Sequence, residues 1–390
     1  MGPDIDIFSA DRYERGVPHE QFAWLRRNAP VYWHPDPGGP GFWAVTRHAD
    51  VTHVSRHPEL FSSHRRSSLL YERSGELLER DRLIMLNQDP PRHTATRAVV
   101  NRGFTPRAIG RLEDRIRKIC HDLLDRVSGE ADFVADIAAP LPLHVICELL
   151  GAPAEDRESI FAWSNHLIGF EDPDLARKGA EPLRNLYEYG VRLAAARRER
   201  PGEDLVTRLV TGGEALSEAE LGMFVVLLAV AGNETTRNAA SGGMLAFFAH
   251  PAEWRRLLAD RSLLRTLPDE IVRWVSPVIA FRRTATAATE IGGQRIAEND
   301  KVILYYTAAN RDEDAFDRPG VFDIGRDPNP HVGFGGGGPH FCLGAHLARL
   351  ELKVLFETLA ERMPGIEQAG EPRWLRSNFI SGLKRLPIRT

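Results

Sequence analysis

Three groups of residues in this chain could do chemistry. Four consecutive glycines, Gly335 to Gly338, lead through Pro339, His340 and Phe341 to Cys342, and Gly344 follows. Glycines in a row remove side chains from a backbone that must approach something closely or take up positive φ angles. The strongly periodic sequence beyond reads as a helix ending near Met363, which puts Cys342 at a helix start. Unpaired amides and the helix dipole stabilise an anion there, and a thiolate so placed serves as a metal ligand or a nucleophile. Gly344 keeps space free around the sulfur. Cys120 and Cys147 lie on apolar helical faces and read as small buried hydrophobes.

The second group is Ala231-Gly232-Asn233-Glu234-Thr235-Thr236. Glycine weakens a helix and threonine can draw a backbone carbonyl out of line, so the segment predicts a local opening of the helix. Glu234 beside Thr235 sets a carboxylate and a hydroxyl within one turn, the minimum for relaying protons into a dry pocket. The alternative is a helix that leaves the core for solvent at Asn233. The third group is Glu270 and Arg273, an i, i+3 pair that on a surface contributes about 0.3 kcal/mol.

These residues need elements to hold them. Ser217 begins Ser-Glu-Ala-Glu, a capping box, and no proline follows until Pro251, so one helix of about 33 residues, roughly 50 Å, is predicted. Met223 to Ala231 is apolar on every face, which sends this helix through the core. Helical periodicity also marks 107–127, 143–150 and 183–198, and a short helix carries Asp269 to Trp274. The segment 41–58 alternates like a strand and then turns helical, and 281–304 reads as strands joined by Gly292-Gly293 and a polar turn. The Pro/Asp/Arg-rich stretch 311–330 is irregular and must be functional or tightly tied down. No repeat or composition break divides the chain, so 1–390 reads as one domain.

Composition narrows the function. The 390 residues are 43% hydrophobic and 27% charged, ordinary for a globular enzyme, and a net charge of −4 with scattered basic residues argues against a nucleic-acid partner. Three dispersed cysteines form no disulfide framework or zinc site and suit a reducing compartment. The acidic start lacks a signal-peptide pattern, and the longest apolar run, Met223 to Ala231, is far shorter than the roughly 20 residues of a membrane span. A cytoplasmic protein with no membrane association is expected.

Taken in order, the three groups resemble the cytochrome P450 superfamily over nearly the whole chain. Gly338, His340, Cys342 and Gly344 are similar to its cysteine-ligand loop, Ala231 to Thr236 to its oxygen-activation segment, and Glu270 with Arg273 to its Glu-x-x-Arg pair. The resemblance implies a mainly α, triangular domain with a small β region, and haem b between the long helix and the helix after Cys342. By position, Cys342 would be the axial iron ligand, Glu234 and Thr235 would guide protons, and Glu270 and Arg273 would anchor 311–330, with Asn310-Arg311-Asp312 as turn partner. Asp89-Pro90-Pro91-Arg92-His93-Thr94-Ala95-Thr96-Arg97 resembles a segment whose His93 and Arg97 reach the haem carboxylates, with Arg283 and His340 as the other anchors.

One departure from the pattern is visible. Phe334, normally packed near the sulfur, stands eight positions before Cys342 instead of seven, as though a glycine were inserted. That loop resembles those of bacterial members that oxidise sterols, branched lipids and terpenoids, implying a fairly large apolar substrate. Substrate contacts would come from 65–86, from Ile168 to Glu171, from Val230 and Ala231, from Val278, Ile279 and Phe281, and from Ile380 to Gly382. The reaction would insert one atom of O2, with electrons from a separate ferredoxin and ferredoxin reductase docking near Arg102, Arg107 and Arg111. The competing readings are a haem-thiolate peroxygenase or gas sensor, and a thiol hydrolase pairing Cys342 with His340 or His346.

Overall fold

The computed structural model describes residues 4–168, 172–175, 181–211 and 216–390. Its axis is the helix Glu218–Ala249. The capping box forms as the sequence predicts: the Glu220 amide donates to Ser217 Oγ at 3.2 Å and the Ser217 amide to Glu220 Oε2 at 3.0 Å. Leu221 to Val226 are all buried, because Pro140–Leu150, Arg157–Ile168, Glu181–Glu199, Leu267–Val275 and Ala345–Arg362 pack around this helix. The apolar stretch Phe133–Leu150 is long enough to cross a membrane, yet 67% of it is buried within the protein, as in a core helix.

The expected opening of the long helix is absent, since it runs unbroken through Ala231 to Thr236. Gly232 has a packing reason instead: a Cβ there would lie 2.5 Å from Ile146 Cδ1, so glycine lets two helices approach closely. Nor does the helix leave the core at Asn233, which is fully buried and donates through Nδ2 to Ser164 Oγ at 3.3 Å.

The small β region is a five-stranded sheet in the order Val31–His34, Phe42–Val45, Lys301–Tyr305, Ala280–Ala285, Phe61–Ser62. Phe42–Val45 runs parallel to Lys301–Tyr305, with Trp43 opposite Val302, and the other pairs are antiparallel. Chain from both ends of the sequence thus shares one sheet. The hairpin Thr289–Ile291 with Gln294–Ile296 turns at Gly292 and Gly293, as expected.

Glu270 and Arg273, on the helix Leu267–Val275, are completely buried. Arg273 Nε donates to Glu270 Oε2 at 2.8 Å and Nη2 to Oε1 at 2.7 Å. The remaining guanidinium hydrogens go to the carbonyls of Asn310, Pro319 and Val321 at 2.9 to 3.0 Å, so all five donors are used. Glu270 also accepts from the Asp323 amide, Arg326 Nε and Asn329 Nδ2. The pair therefore fastens the irregular stretch 310–329 by its backbone. Of the turn residues, Asn310 touches Arg273 through its carbonyl, and its side chain links Ser276 Oγ to the Val332 amide. Arg311 lies over the Trp274 ring at 3.7 Å, and Asp312 accepts from the His48 amide.

Removing one partner leaves a dry, unpaired charge. Glu270→Gln and Arg273→Met are each expected to lower unfolding stability by about 3 to 5 kcal/mol, read by chemical denaturation, whereas Glu113→Gln in the partly exposed Glu113–Arg117 pair should change it by less than about 1 kcal/mol.

Candidate functional site

Between the long helix and Ala345–Arg362 lies a cavity of about 1500 Å³, its mouth included. Ala231, Gly232, Thr235 and Thr236 line it from the first helix; Cys342, Gly344, Leu347 and Ala348 line it from the second and its lead-in loop. That loop is held in a tight curl. The Cys342 amide donates to the Phe334 carbonyl at 2.8 Å, and Gly335, Gly337 and Gly338 have φ of +102°, +90° and +74°. A Cβ on Gly338 would overlap the Ser55 carbonyl oxygen, and one on Gly336 would lie 2.6 Å from Ser55 Oγ, so the loop rests directly on the helix His48–Arg56. Gly338 shapes the loop and does not line the cavity, a correction to its expected place against a cofactor.

Positive φ angles absorb the extra glycine. Phe334 still lines the cavity beside Cys342, under the Arg349 guanidinium at 4.5 Å from its centroid. Arg349 Nε and His331 Nε2 both meet Asp269 Oδ1 at 2.8 Å, which ties the loop to the Glu270 helix through a residue the sequence did not single out. A Cβ on Gly344 would meet nothing within 4 Å, consistent with room kept open beside the sulfur.

Cys342 opens onto the cavity but is otherwise enclosed by protein. Burial pushes its thiol up, more than the Gly344 amide, Arg97 and Arg349 pull it down. This corrects the expectation that the helix start alone would favour the thiolate. A nucleophile also needs a base. His340 contacts Ser63 Oγ at 3.3 Å and His93, and His346 is exposed; among the described residues no histidine hydrogen-bonds to Cys342. The thiol-hydrolase arrangement is not present. Among the described residues no three His, Cys, Asp or Glu side chains gather round an ion, so a metal at Cys342 must bring most of its own ligands.

The cavity's edge carries basic groups. The His93 and His340 rings lie 4.3 Å apart, Arg97 donates to the Pro339 carbonyl at 3.2 Å, and Arg283, 3% exposed, donates to the Arg282 carbonyl at 2.7 Å. All four line the cavity, and among the described residues neither Arg97 nor Arg283 has a carboxylate partner. Burial, then Arg97 and Arg283, push His93 down to about 4, with Asp89 opposing. Burial, Arg283, His93 and Arg97 hold His340 well below its ordinary value. His93 Nδ1 has no partner. Two guanidinium groups and two neutral imidazoles at one edge of the cavity fit a group that carries two carboxylates. The residues present therefore fit the haem that the resemblance implies, its carboxylates at this edge and its iron at Cys342.

On the opposite wall Thr235 Oγ1 donates to the Ala231 carbonyl at 2.7 Å. Glu234 is 1% exposed, is paired with Arg237 and does not line the cavity. Burial raises its carboxyl more than Arg237 lowers it, and Oε1 has no partner. The expected substrate contacts divide. Ala231, Val278 and Phe281 line the cavity; Val230 and Ile380 pack beside Val278 in a small apolar cluster behind the wall. Ile279 points the other way, into the core with Phe22 and Tyr305, because alternate residues of an extended chain face opposite sides. The positions 168–171 fall outside the described side chains. Sequence reading missed Phe104, in the turn before Pro106–Gly110, and Ile146, Phe224 and Glu351, which reach the wall from helices whose periodicity signals only burial.

A profile of the family described as Cytochrome P450 matches residues 195–363. The chain is 43% identical to the "Steroid C26-monooxygenase" of Rhodococcus jostii over 98% of its own length and 84% of that protein's. It is equally 43% identical to the "Methyl-branched lipid omega-hydroxylase" of Mycobacterium tuberculosis, covering 99% and 94% of the two chains. Its fold is similar to a solved Mycobacterium marinum cytochrome P450 in complex with pseudoionone, at 40% identity, TM-score 0.93 and full coverage of both chains.

Two outcomes test the site. Arg97→Leu and Arg283→Leu should each speed loss of bound haem by about tenfold, a difference of about 1.4 kcal/mol, measured by transfer to excess apomyoglobin. In the haem-free protein His93 titrates near 4 against an ordinary 6.5, so the folded state binds fewer protons between those values and its stability falls as pH drops through them. Denaturation midpoints between pH 7 and 4 should show this loss, and His93→Leu should reduce it.

Proposed function

The chain belongs to the cytochrome P450 family, and on that premise we propose that it hydroxylates the terminal carbon of a methyl-branched alkyl chain, with Cys342 holding the haem iron. It is a haem monooxygenase that uses O2, an apolar substrate and electrons from a redox partner. The observation that carries the assignment of residues is the position of Thr235, on the long helix, and Cys342, in the loop leading into the helix Ala345–Arg362, on opposite walls of one cavity. The substrate class is supported by two similar proteins whose names place oxidation at a steroid C26 and at the omega position of a methyl-branched lipid.

Bound haem supplies the activation of O2 and the transfer of one oxygen atom into a C–H bond. The protein's own part is to bind, orient and deliver protons. Phe104, Ile146, Phe224, Leu227 and Leu228 form an apolar wall, which favours each buried methylene by about 0.8 kcal/mol and excludes water. The Thr235 hydroxyl donates to Ala231 and so turns its lone pairs outward, where it can accept a hydrogen bond from a proton donor in the cavity and hold it in place. Glu234 keeps its proton to higher pH than a surface glutamate, and its unpartnered Oε1 can bond a water leading to Thr235. His93, Arg97, Arg283 and His340 orient the cofactor through its carboxylates.

A ferredoxin and its reductase are the proposed electron donors. Arg102, Arg107 and Arg111 are exposed, and the helix Pro106–Gly110 packs on the helix after Cys342, which supports a docking face for an acidic protein near the sulfur. Residues 1–390 act as one domain in this reading, in keeping with the sheet that joins residues 31–62 to 280–305.

Thr235→Ala should keep substrate binding but divert most electrons from product to peroxide, and Glu234→Gln should slow turnover by about 10²-fold; unchanged coupling in Thr235→Ala defeats the relay. Incubation with cholesterol and with a methyl-branched fatty acid, followed by mass spectrometry, should find hydroxyl at the chain terminus. Oxidation confined to a ring or to a mid-chain methylene would overturn the regiochemistry. A reduced carbon-monoxide adduct whose Soret band matches histidine-ligated haem would remove Cys342 as ligand.

A further inference from the structure

The helix His48–Arg56, on which the cysteine loop rests, carries His53 in its last turn and has His57 as its C-cap. His53 is exposed and His57 half-exposed. Residues at i and i+4 share one face of a helix, and the two rings lie with centres 4.6 Å apart and planes tilted by 46°. A metal about 2.1 Å from one nitrogen of each ring stands about 3.2 Å from each ring centre, so centres 4.6 Å apart correspond to an N–metal–N angle of about 90°. Two imidazoles at a right angle are neighbouring ligands of a tetragonal or octahedral ion, the geometry that Cu2+ and Ni2+ take.

The surroundings favour a cation. His57 Nδ1 meets Glu59 Oε1 at 2.8 Å. A carboxylate in that place accepts the Nδ1–H hydrogen bond, fixes the ring and leaves Nε2 bare, the arrangement found behind metal-ligating histidines in general. The Glu59 backbone amide, then His57 and at longer range His53, hold the Glu59 carboxyl below its ordinary value, so its charge is felt at both rings. Among the described residues the His53 ring has no hydrogen-bond partner, and an edge contact with Phe61, 6.1 Å between centres, limits where it can turn. The carbonyl end of the helix adds negative potential at the same place. Among the described residues no third side chain closes the site, so an ion here keeps water in its remaining positions.

Ser55 and Arg56 stand between the two histidines in sequence. Ser55 lies directly under Gly336 and Gly338, and a Cβ on Gly337 would be 3.0 Å from Arg56 Nε. An ion held across 53 and 57 therefore clamps the turn that bears the cysteine loop.

We propose that His53 and His57 form a site for one divalent transition-metal ion of the Cu2+ or Ni2+ type, with Glu59 orienting His57, on the outer face of the helix beneath the cysteine loop. The ion is separate from the haem iron and takes no part in oxidation. Its effect is to stabilise the turn on which the loop lies.

Calorimetric titration of the haem-loaded enzyme tests this. Ni2+ and Cu2+ should each fill one site, Cu2+ the more tightly, and Mg2+, which prefers oxygen ligands, should not compete. His53→Ala and His57→Ala should each weaken Ni2+ binding by about a hundredfold, because one ring alone loses the chelate, and Glu59→Gln by about tenfold. His53→Gln, closer in size to the parent, should behave as His53→Ala does, and His346→Ala, at an exposed histidine elsewhere, should leave binding unchanged. Thermal unfolding gives a second reading: excess Ni2+ should raise the midpoint of the parent and of His346→Ala by a few degrees, and that of neither His53→Ala nor His57→Ala. Affinity that survives either single substitution, or uptake that never saturates, would mean an adventitious ion only and overturn the proposal.

Discussion

A guanidinium and a carboxylate with no access to water stand beneath the cysteine loop, and the chain from Asn310 to Gly344 depends on them. Arg273 and Glu270 do not contribute through their mutual attraction, which burial largely offsets. Their value lies in the hydrogen bonds left over: three carbonyls on one side, and an amide, an arginine and an asparagine on the other. A stretch with no regular ladder of its own has its backbone satisfied by these side chains. Next to it, Asp269 draws in His331 and Arg349, and Arg349 covers Phe334. The position of the sulfur is thus inherited from one short helix.

The two walls of the cavity are built on different principles. On the cysteine side the backbone does the work, because glycines allow the loop to lie on Ser55 with nothing between. On the long helix side chains do it, and they are sorted by face: Thr235 inward, Glu234 toward Arg237, Asn233 toward Ser164. Within one turn of helix, adjacent residues thus carry a hydroxyl that faces the cavity and an acid buried away from it.

What could be read from the sequence was whatever the local chain decides. The capping box, the length of the central helix, the hairpin turn at Gly292-Gly293 and the glycine curl before Cys342 depend on neighbours within a few residues. Gly232 was misread because its cost is local and its purpose is not: the helix loses stability at 232 so that Ile146, from another helix, can come close. Ile279 was misplaced by parity, since a run of contacts cannot all face one cavity in an extended chain. The bond of Lys384 to Asp172 was invisible, for the two stand 212 positions apart and nothing near either residue announces the other. Phe334 fell between these cases, its spacing irregular but its place restored by positive φ.

The basic groups at the cavity edge also bear on how the protein is made. His93, Arg97, Arg283 and His340 come from three separate parts of the chain, and folding brings two guanidinium groups and two neutral imidazoles to one edge. A cofactor that binds the folded chain and not the unfolded one adds its binding free energy to stability, so the cavity edge ties the stability of the fold to the supply of haem.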